Sequence, residues 1–242
     1  MKAYYSDRSK VLMISTSKIH GSEYMEYIVD EVKEFLGDRK NLLFIPYARP
    51  SGITHDEYTA FPAAALKPAG IQVKGIHEYP DPKQAIAEAE AVFVGGGNTF
   101  LLTKTLYELD LMESLRAAVV AGTPYMGSSA GSNITGLSIG TTNDMPIVYP
   151  PSFDALALVP FNINPHYLDP IPDSKHQGET RETRINEFHF QNKQPVIGIR
   201  EGSWLRLENK QLTLKGAHTA RLFEANKPAR EIETGDVSFL LG

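Results

Sequence analysis

From Val11 to Gly127, short apolar runs bounded by turn residues alternate with longer amphipathic stretches, and no other feature constrains the fold of this chain as strongly. Val11–Ile14, Leu42–Pro46, Ile71–Ile76, Ala91–Val94 and Pro124–Gly127 read as buried strands, whereas Ser22–Leu36, Asp56–Leu66, Pro82–Glu90 and Thr99–Val120 read as helices. Apolar strands separated by helices predict a mostly parallel sheet with helices on both faces, because a parallel strand is reached only through a crossover. After Ser138 the pattern changes. Proline clusters at Met145–Pro151 and Pro165–Pro172 predict long irregular loops, the kind that usually carry function, and one more helix is expected over Gly178–Phe190. Beyond Pro195, the segments Val196–Ile199, Trp204–Leu207, Leu212–Leu214 and Val237–Leu241 read as antiparallel strands, with Glu208-Asn209-Lys210 as a turn. A single α/β domain over residues 1–242 is expected, with no repeat, linker or low-complexity tract.

Composition removes several classes of function. The chain has no cysteine, so a thiolate nucleophile, a thiolate metal site and a disulfide framework are all unavailable. Its net charge is −5 and no cluster of lysines or arginines stands out, which argues against nucleic acid or an anionic membrane as partner. Residues Met1–Lys10 are polar, and no apolar run approaches the ~18 residues of a membrane span, so a cytoplasmic location is expected. No pair of histidines has the spacing of a zinc-binding helix; neither a metal nor another cofactor is expected.

The string Gly127-Ser128-Ser129-Ala130-Gly131 follows the apolar run ending the last of the alternating strands and precedes a segment able to form a helix. That is the setting of a nucleophile elbow, in which glycines flank a strand-to-helix turn too tight for bulky neighbours and the central hydroxyl is held out of the fold. Ser129 is the central residue. Seen alone, the pattern also fits an ordinary turn. A second glycine string, Gly95-Gly96-Gly97-Asn98, follows the run Ala91–Val94 and opens a helix. Ligands in open parallel sheets sit outside the carboxyl ends of strands, so the two strings would lie side by side at one crevice. Free N–H groups of Gly96, Gly97 and Ala130 would then suit an oxyanion, the alternative being a plain tight turn.

A serine needs a base to remove its proton and a group to orient that base. Of seven histidines, His20, His55, His77, His176, His189 and His218 sit beside polar residues or on expected helix and hairpin surfaces, where a solvated histidine is the simpler account. His166 differs: it ends the run Asn162-Ile163-Asn164-Pro165-His166, where proline restricts the backbone just before it.

Gly95-Gly96-Gly97-Asn98-Thr99-Phe100, Ser129-Ala130-Gly131, Thr142-Asn143-Asp144-Met145-Pro146-Ile147-Val148, Asn164-Pro165-His166, Gly178-Glu179-Thr180-Arg181 and Glu201-Gly202 resemble, in order and spacing, the peptidase E family of aspartyl dipeptidases. The resemblance runs from about residue 40 to 205, and the run around Asp144 is far more specific than the elbow alone. It implies a cytoplasmic serine peptidase that removes an N-terminal aspartate from dipeptides and some short peptides, on a fold similar to class I glutamine amidotransferases. Ser129 would be the nucleophile and His166 its base. The third member stays open between Asp144 and Glu201, since chain order decides nothing; Glu201, turning from a strand end before glycine, is slightly favoured as the orienter. Asp144 is expected to be required, either there or in holding substrate or architecture.

A preference for an acidic first residue asks for a cation that can pair with a carboxylate stripped of water. The resemblance points to Arg181. Arg184, one helical turn on, would share its face, although arginines so spaced mostly decorate solvated helices. Asn98 would bind substrate, cap the following helix, or do both. One departure stands out: Ser128 occupies the place where the family carries an aromatic residue, which leaves strict preference for aspartate open. A related hydrolase of aspartate-containing polymers such as cyanophycin, and a non-catalytic amidotransferase-like module with an anionic ligand in the glycine loop, are the rival readings. The sequence is compatible with a homodimer.

Overall fold

The computed structural model describes residues 3–170 and 178–242. Ile171, Pro172 and His176, which the sequence assigns to a loop and a surface, lie outside the described residues.

The alternating half of the chain forms β1 (Val11–Ile14), α1 (Val29–Leu36), β2 (Asn41–Ile45), α2 (His55–Leu66), β3 (Gln72–Gly75), α3 (Pro82–Glu88), β4 (Val92–Val94), α4 (Thr99–Glu108), α5 (Met112–Ala121) and β5 (Tyr125–Ser128). The remainder forms α6 (Ala130–Asn133), β6 (Asn162–Pro165), α7 (Arg181–His189), β7 (Val196–Ile199), β8 (Ser203–Glu208), β9 (Gln211–Gly216), β10 (Ala220–Phe223), β11 (Arg230–Ile232) and β12 (Gly235–Asp236). An eight-stranded sheet has the order β12-β9-β8-β1-β5-β4-β2-β3, and a second sheet of four strands has the order β11-β10-β7-β6. Within the larger sheet β1, β5, β4, β2 and β3 run parallel, while β8, β9 and β12 extend it antiparallel from β1.

Side chains on successive strand residues point to opposite faces, and the core divides accordingly. Leu12, Ile14, Leu42, Phe44, Phe93 and Met126 pack with Val32 and Phe35 of α1 and with Tyr58 and Leu66 of α2. Val11, Met13, Leu43, Ile45, Val92 and Val94 pack on the other side with Ile86 of α3, Leu102 and Leu106 of α4, and Leu115 and Val119 of α5. Helices therefore cover both faces, as the strand-helix beat predicts. The same core takes in Ile163, Ile197 and Ile199 from the smaller sheet, whose other side packs Val196 and Phe223 against Ile185 of α7.

Several boundaries differ from the sequence expectation, each for a local reason. The helix expected over Thr99–Val120 is two helices, because Asp110 takes a left-handed φ of 54° and the chain turns to bury Leu111 completely. The helix expected from Ser22 is helical only from Glu26, first as a 3-10 turn, after Met25 at φ 60°. Val196–Ile199 is not purely antiparallel: β7 runs parallel to β6 and antiparallel to β10, in the second sheet. Val237–Leu241 is not a strand. Asp236 accepts hydrogen bonds from the N–H and hydroxyl of Ser238, bending Ser238–Leu241 into a 3-10 turn. The expected turn does join β8 and β9, with Asn209 and Lys210 at φ 53° and 58° as a two-residue hairpin requires. Among the described residues no helix is long and apolar enough to cross a membrane.

Candidate active site

Ser129 stands one residue past the carboxyl end of β5, at φ 54° and ψ −111°. Its N–H donates to the carbonyl of Ile14 at the end of β1, 3.1 Å away, which pins the turn. Glycine is obligatory on either side: a Cβ at Gly127 would lie 2.2 Å from the Gly131 carbonyl oxygen, and one at Gly131 would lie 2.1 Å from that of Val94. The elbow read from the sequence is present, and its hydroxyl faces a histidine.

That histidine is His166, whose Nε2 is 2.9 Å from Ser129 Oγ. It follows β6 directly and also has φ 54°. Its backbone N–H donates to the hydroxyl of Ser15 at 3.0 Å, and the buried Ser15 in turn donates to the carbonyl of Ile199 at 2.8 Å. On the far side of the ring, His166 Nδ1 lies 2.7 Å from Glu201 Oε1. Glu201 sits just beyond β7, where the chain turns back through Arg200 and Gly202. The pair is wet: the His166 side chain is 35% exposed and that of Glu201 47%, so solvent screens their attraction.

Asp144 is not brought to His166. Its Oδ2 accepts the N–H of Thr99, 2.7 Å away in the first turn of α4, and the hydroxyl of Thr142 at 3.1 Å. A carboxylate there compensates the unpaired donors and positive end of the helix, anchoring the loop beside the glycine string. Asn98 is spent on architecture at both ends of its amide, with Oδ1 accepting from Leu101 N–H at 3.0 Å and Nδ2 donating to the Met145 carbonyl at 2.9 Å. The glycine loop is fixed at its borders by Gly95 N–H on Ile45 O and Asn98 N–H on Ala48 O. Among the hydrogen bonds of the described residues, none is donated by the N–H of Gly96, Gly97 or Ala130.

Arg181 begins α7, whose first turn is capped by Thr180 accepting the Thr183 N–H at 3.1 Å. It lines a small cleft with Thr142, Asn143 and Asn164. Burial and then the neighbouring Arg184 push its pKa down, while the nearby Asp144 acts in the opposite direction; an arginine so placed still carries its charge. Among the described residues no carboxylate comes within ion-pair distance of it, whereas the exposed Arg184 lies 3.7 Å from Glu179. Arg184, though exposed and close to Glu179, lines the same cleft as Arg181, so the two arginines share a face as their spacing predicts. Ser128 is fully buried and its hydroxyl has no partner among the described residues.

Three residues at the site were not singled out from the sequence. Ser15 reads as an ordinary polar strand end. Asn164 Nδ2 donates to Asn143 Oδ1 at 2.7 Å, and Asn143 Nδ2 donates to the Pro165 carbonyl at 2.7 Å, bracing the backbone that delivers His166. The only sequence signal for Asn143 and Asn164 is membership of two of the motifs that carry the resemblance, and Ser15 lies in none of them.

The model of peptidase family S51 matches residues 11–215. The chain belongs to this family. As an S51 peptidase it is 53% identical over 232 residues to peptidase E of Streptomyces coelicolor, a match covering 96% of this chain and 94% of that one. It is also 48% identical over 235 residues to a protein of Drosophila melanogaster named probable alpha-aspartyl dipeptidase, covering 96% and 97%. A crystal structure of a peptidase from an acI-B1 actinobacterium shares the fold, with a TM-score of 0.71 over 96% of this S51 chain and 98% of its own, at 15% identity.

Proposed function

We propose that this S51 peptidase is a serine dipeptidase that removes an N-terminal aspartate from dipeptides and some short peptides. The observation that carries the reading is the unbroken contact chain Ser129 Oγ, His166 Nε2, His166 Nδ1 and Glu201 Oε1, at 2.9 and 2.7 Å. In it Ser129 is the nucleophile, His166 the base and Glu201 the orienter. Ser129 Oγ attacks the peptide carbonyl as His166 Nε2 takes its proton, and the Glu201 carboxylate stabilises the imidazolium. The oxyanion is met by the N–H of Ala130 and one from the Gly96-Gly97 loop, donors that no described protein group uses. As the tetrahedral adduct collapses, His166 returns the proton to the leaving amine and the aspartyl group stays on Ser129. Water, deprotonated by His166, then releases free aspartate and restores the serine.

The alpha-aspartyl specificity in the name of the Drosophila relative agrees with the charges around the cleft. Arg181 supplies the cation for the substrate side chain. Asp144, whose Oδ1 makes no hydrogen bond to the described residues, receives the α-ammonium group. Asn98 acts by holding the glycine loop to the segment that carries Asp144. On this reading the enzyme works in the cytoplasm, as a monomer or homodimer. Release of p-nitroaniline from Asp-p-nitroanilide, beside its Ala, Asn and Glu analogues, tests it. Aspartate-selective turnover that disappears in Ser129→Ala supports the reading; no turnover of any analogue, or turnover surviving in Ser129→Ala, overturns it.

A further inference from the structure

The carbonyl oxygen of Gly96 accepts a hydrogen bond of 2.8 Å from the hydroxyl of Tyr58, a fully buried side chain on α2. In a trans peptide unit, the carbonyl of one residue and the N–H of the next point in opposite directions, and among the described residues no peptide bond is cis. Turning the Gly96 carbonyl towards Tyr58 therefore turns the Gly97 N–H away from it. Gly96 itself lies against the nucleophile: a Cβ built there would be 2.9 Å from Ser129 Cβ and 3.1 Å from the Ser128 carbonyl oxygen.

A peptide unit between two glycines rotates at little steric cost, so the direction of its N–H is set by whatever grips its carbonyl. Tyr58 is well built as that grip. Its ring meets Phe44 edge-on at 5.1 Å, and the Arg49 guanidinium lies over it at 4.7 Å from the ring centre. Burial pushes the phenol pKa up, so the hydroxyl remains a donor at neutral pH.

We propose that Tyr58 is a positioning residue for the oxyanion site: its hydroxyl holds the Gly96–Gly97 peptide so that the Gly97 N–H aims at the carbonyl oxygen of a substrate attacked by Ser129. The inference rests on the serine-peptidase reading above. Tyr58 touches neither substrate nor the reacting atoms. Its effect falls on the transition state, where negative charge appears on that oxygen, and much less on the bound substrate.

The test is Tyr58→Phe, which keeps the ring, its contact with Phe44 and the cation above it. Losing an oxyanion donor outright costs about 10²–10³ in turnover; loosening one should cost about tenfold in kcat on Asp-p-nitroanilide, with KM within about twofold. An aspartyl boronic acid, which forms a charged tetrahedral adduct on the serine, should bind about tenfold more weakly to the variant, while free aspartate binds equally to both. Thermal melting and titration of active sites with a phosphonate verify that the variant is folded. A folded Tyr58→Phe with wild-type kcat and boronate affinity overturns the inference and leaves the serine-peptidase reading intact. An equal loss of affinity for boronate and aspartate also overturns it, since a general distortion of the pocket would do that. A wild-type chain without turnover on any of the anilides brings down the reading and the inference together.

Discussion

Ser129 and His166 hold the same backbone φ, 54°, in a region that residues with side chains rarely occupy. One follows a strand of the larger sheet and the other a strand of the smaller, yet their side chains meet at 2.9 Å. Conformations of this kind cost about 1–3 kcal/mol each and persist where the surroundings enforce them.

That strain is measurable by comparing two variants that both lack the hydroxyl. Ser129→Gly relieves the backbone whereas Ser129→Ala does not, so the glycine variant should be the more stable by about 1 kcal/mol after the entropy that glycine adds to the unfolded chain. Urea denaturation of both decides it; an alanine variant of equal or greater stability would falsify the idea of stored strain. Neither should turn over substrate.

Glu201 and Asp144 should separate by the kind of defect they cause. Glu201→Gln leaves His166 with a neutral partner and should lower kcat by about 10²–10⁴ with little change in KM, the lower end being favoured by the exposure of the pair. Asp144→Asn keeps the shape but removes the charge at the start of α4 and the proposed partner of the ammonium, so KM should rise at least about tenfold. Steady-state kinetics on Asp-p-nitroanilide distinguishes the two. A KM defect in Glu201→Gln together with a kcat defect in Asp144→Asn would refute Glu201 as orienter and Asp144 as the ammonium's partner.

Arg181→Met retains length and loses the charge. Turnover of the aspartyl anilide should drop by about 10²-fold in kcat/KM, because a charge-assisted pair is worth several kcal/mol when desolvated and less in a cleft that water reaches. The alanyl analogue should be nearly unaffected. Equal losses on both substrates would assign Arg181 to structure instead.

A pH effect follows from Arg200, the residue before Glu201. Its guanidinium pairs with Asp169 at 2.7 Å and Glu231 at 3.0 Å, and this contact holds the Glu231 carboxyl down at about 2, against an ordinary 4.5. A carboxyl depressed by folding contributes stability fully above its unfolded pKa and loses it as pH falls towards the folded value. The relevant window is therefore from about 4.5 down to about 2. With 40% of the side chain exposed, the contribution is about 1 kcal/mol rather than the full shift. Melting curves from pH 6 to 2.5 should show a shallower acid limb for Glu231→Gln than for the wild type; parallel limbs would remove the carboxylate as a cause.

The parts of the site legible in the sequence are those set by local backbone chemistry. Glycine at 127 and 131 announces a close approach, and Asn-Pro before His166 announces a fixed turn, so Ser129 and its histidine partner stand out in the sequence alone. The choice between Glu201 and Asp144 is not a local one, because it depends on where two separate loops travel. β6 was also unread. Asn162-Ile163-Asn164-Pro165 has poor strand propensity, and it forms a strand because its side-chain amides find partners outside the ladder: Asn162 bonds Ser138 and Asn164 bonds the Thr141 carbonyl at 2.9 Å. Ser15 and Tyr58 were invisible for the opposite reason. Each looks like a routine residue of its element, and its importance lies in hydrogen bonds to groups distant in sequence, His166 and Ile199 for Ser15 and Gly96 for Tyr58.

The hydroxyl of Ser15 joins the end of β1 to the ends of both β6 and β7, and so sits on the seam along which Ser129 and His166 are brought together. A peptidase assembled across such a seam can be disarmed without being unfolded: a slip of an ångström between the two sheets separates Ser129 from His166 while every strand keeps its partners. On warming, hydrolysis should fade ahead of the far-ultraviolet signal, with the gap between the two temperatures widening in Ser15→Ala.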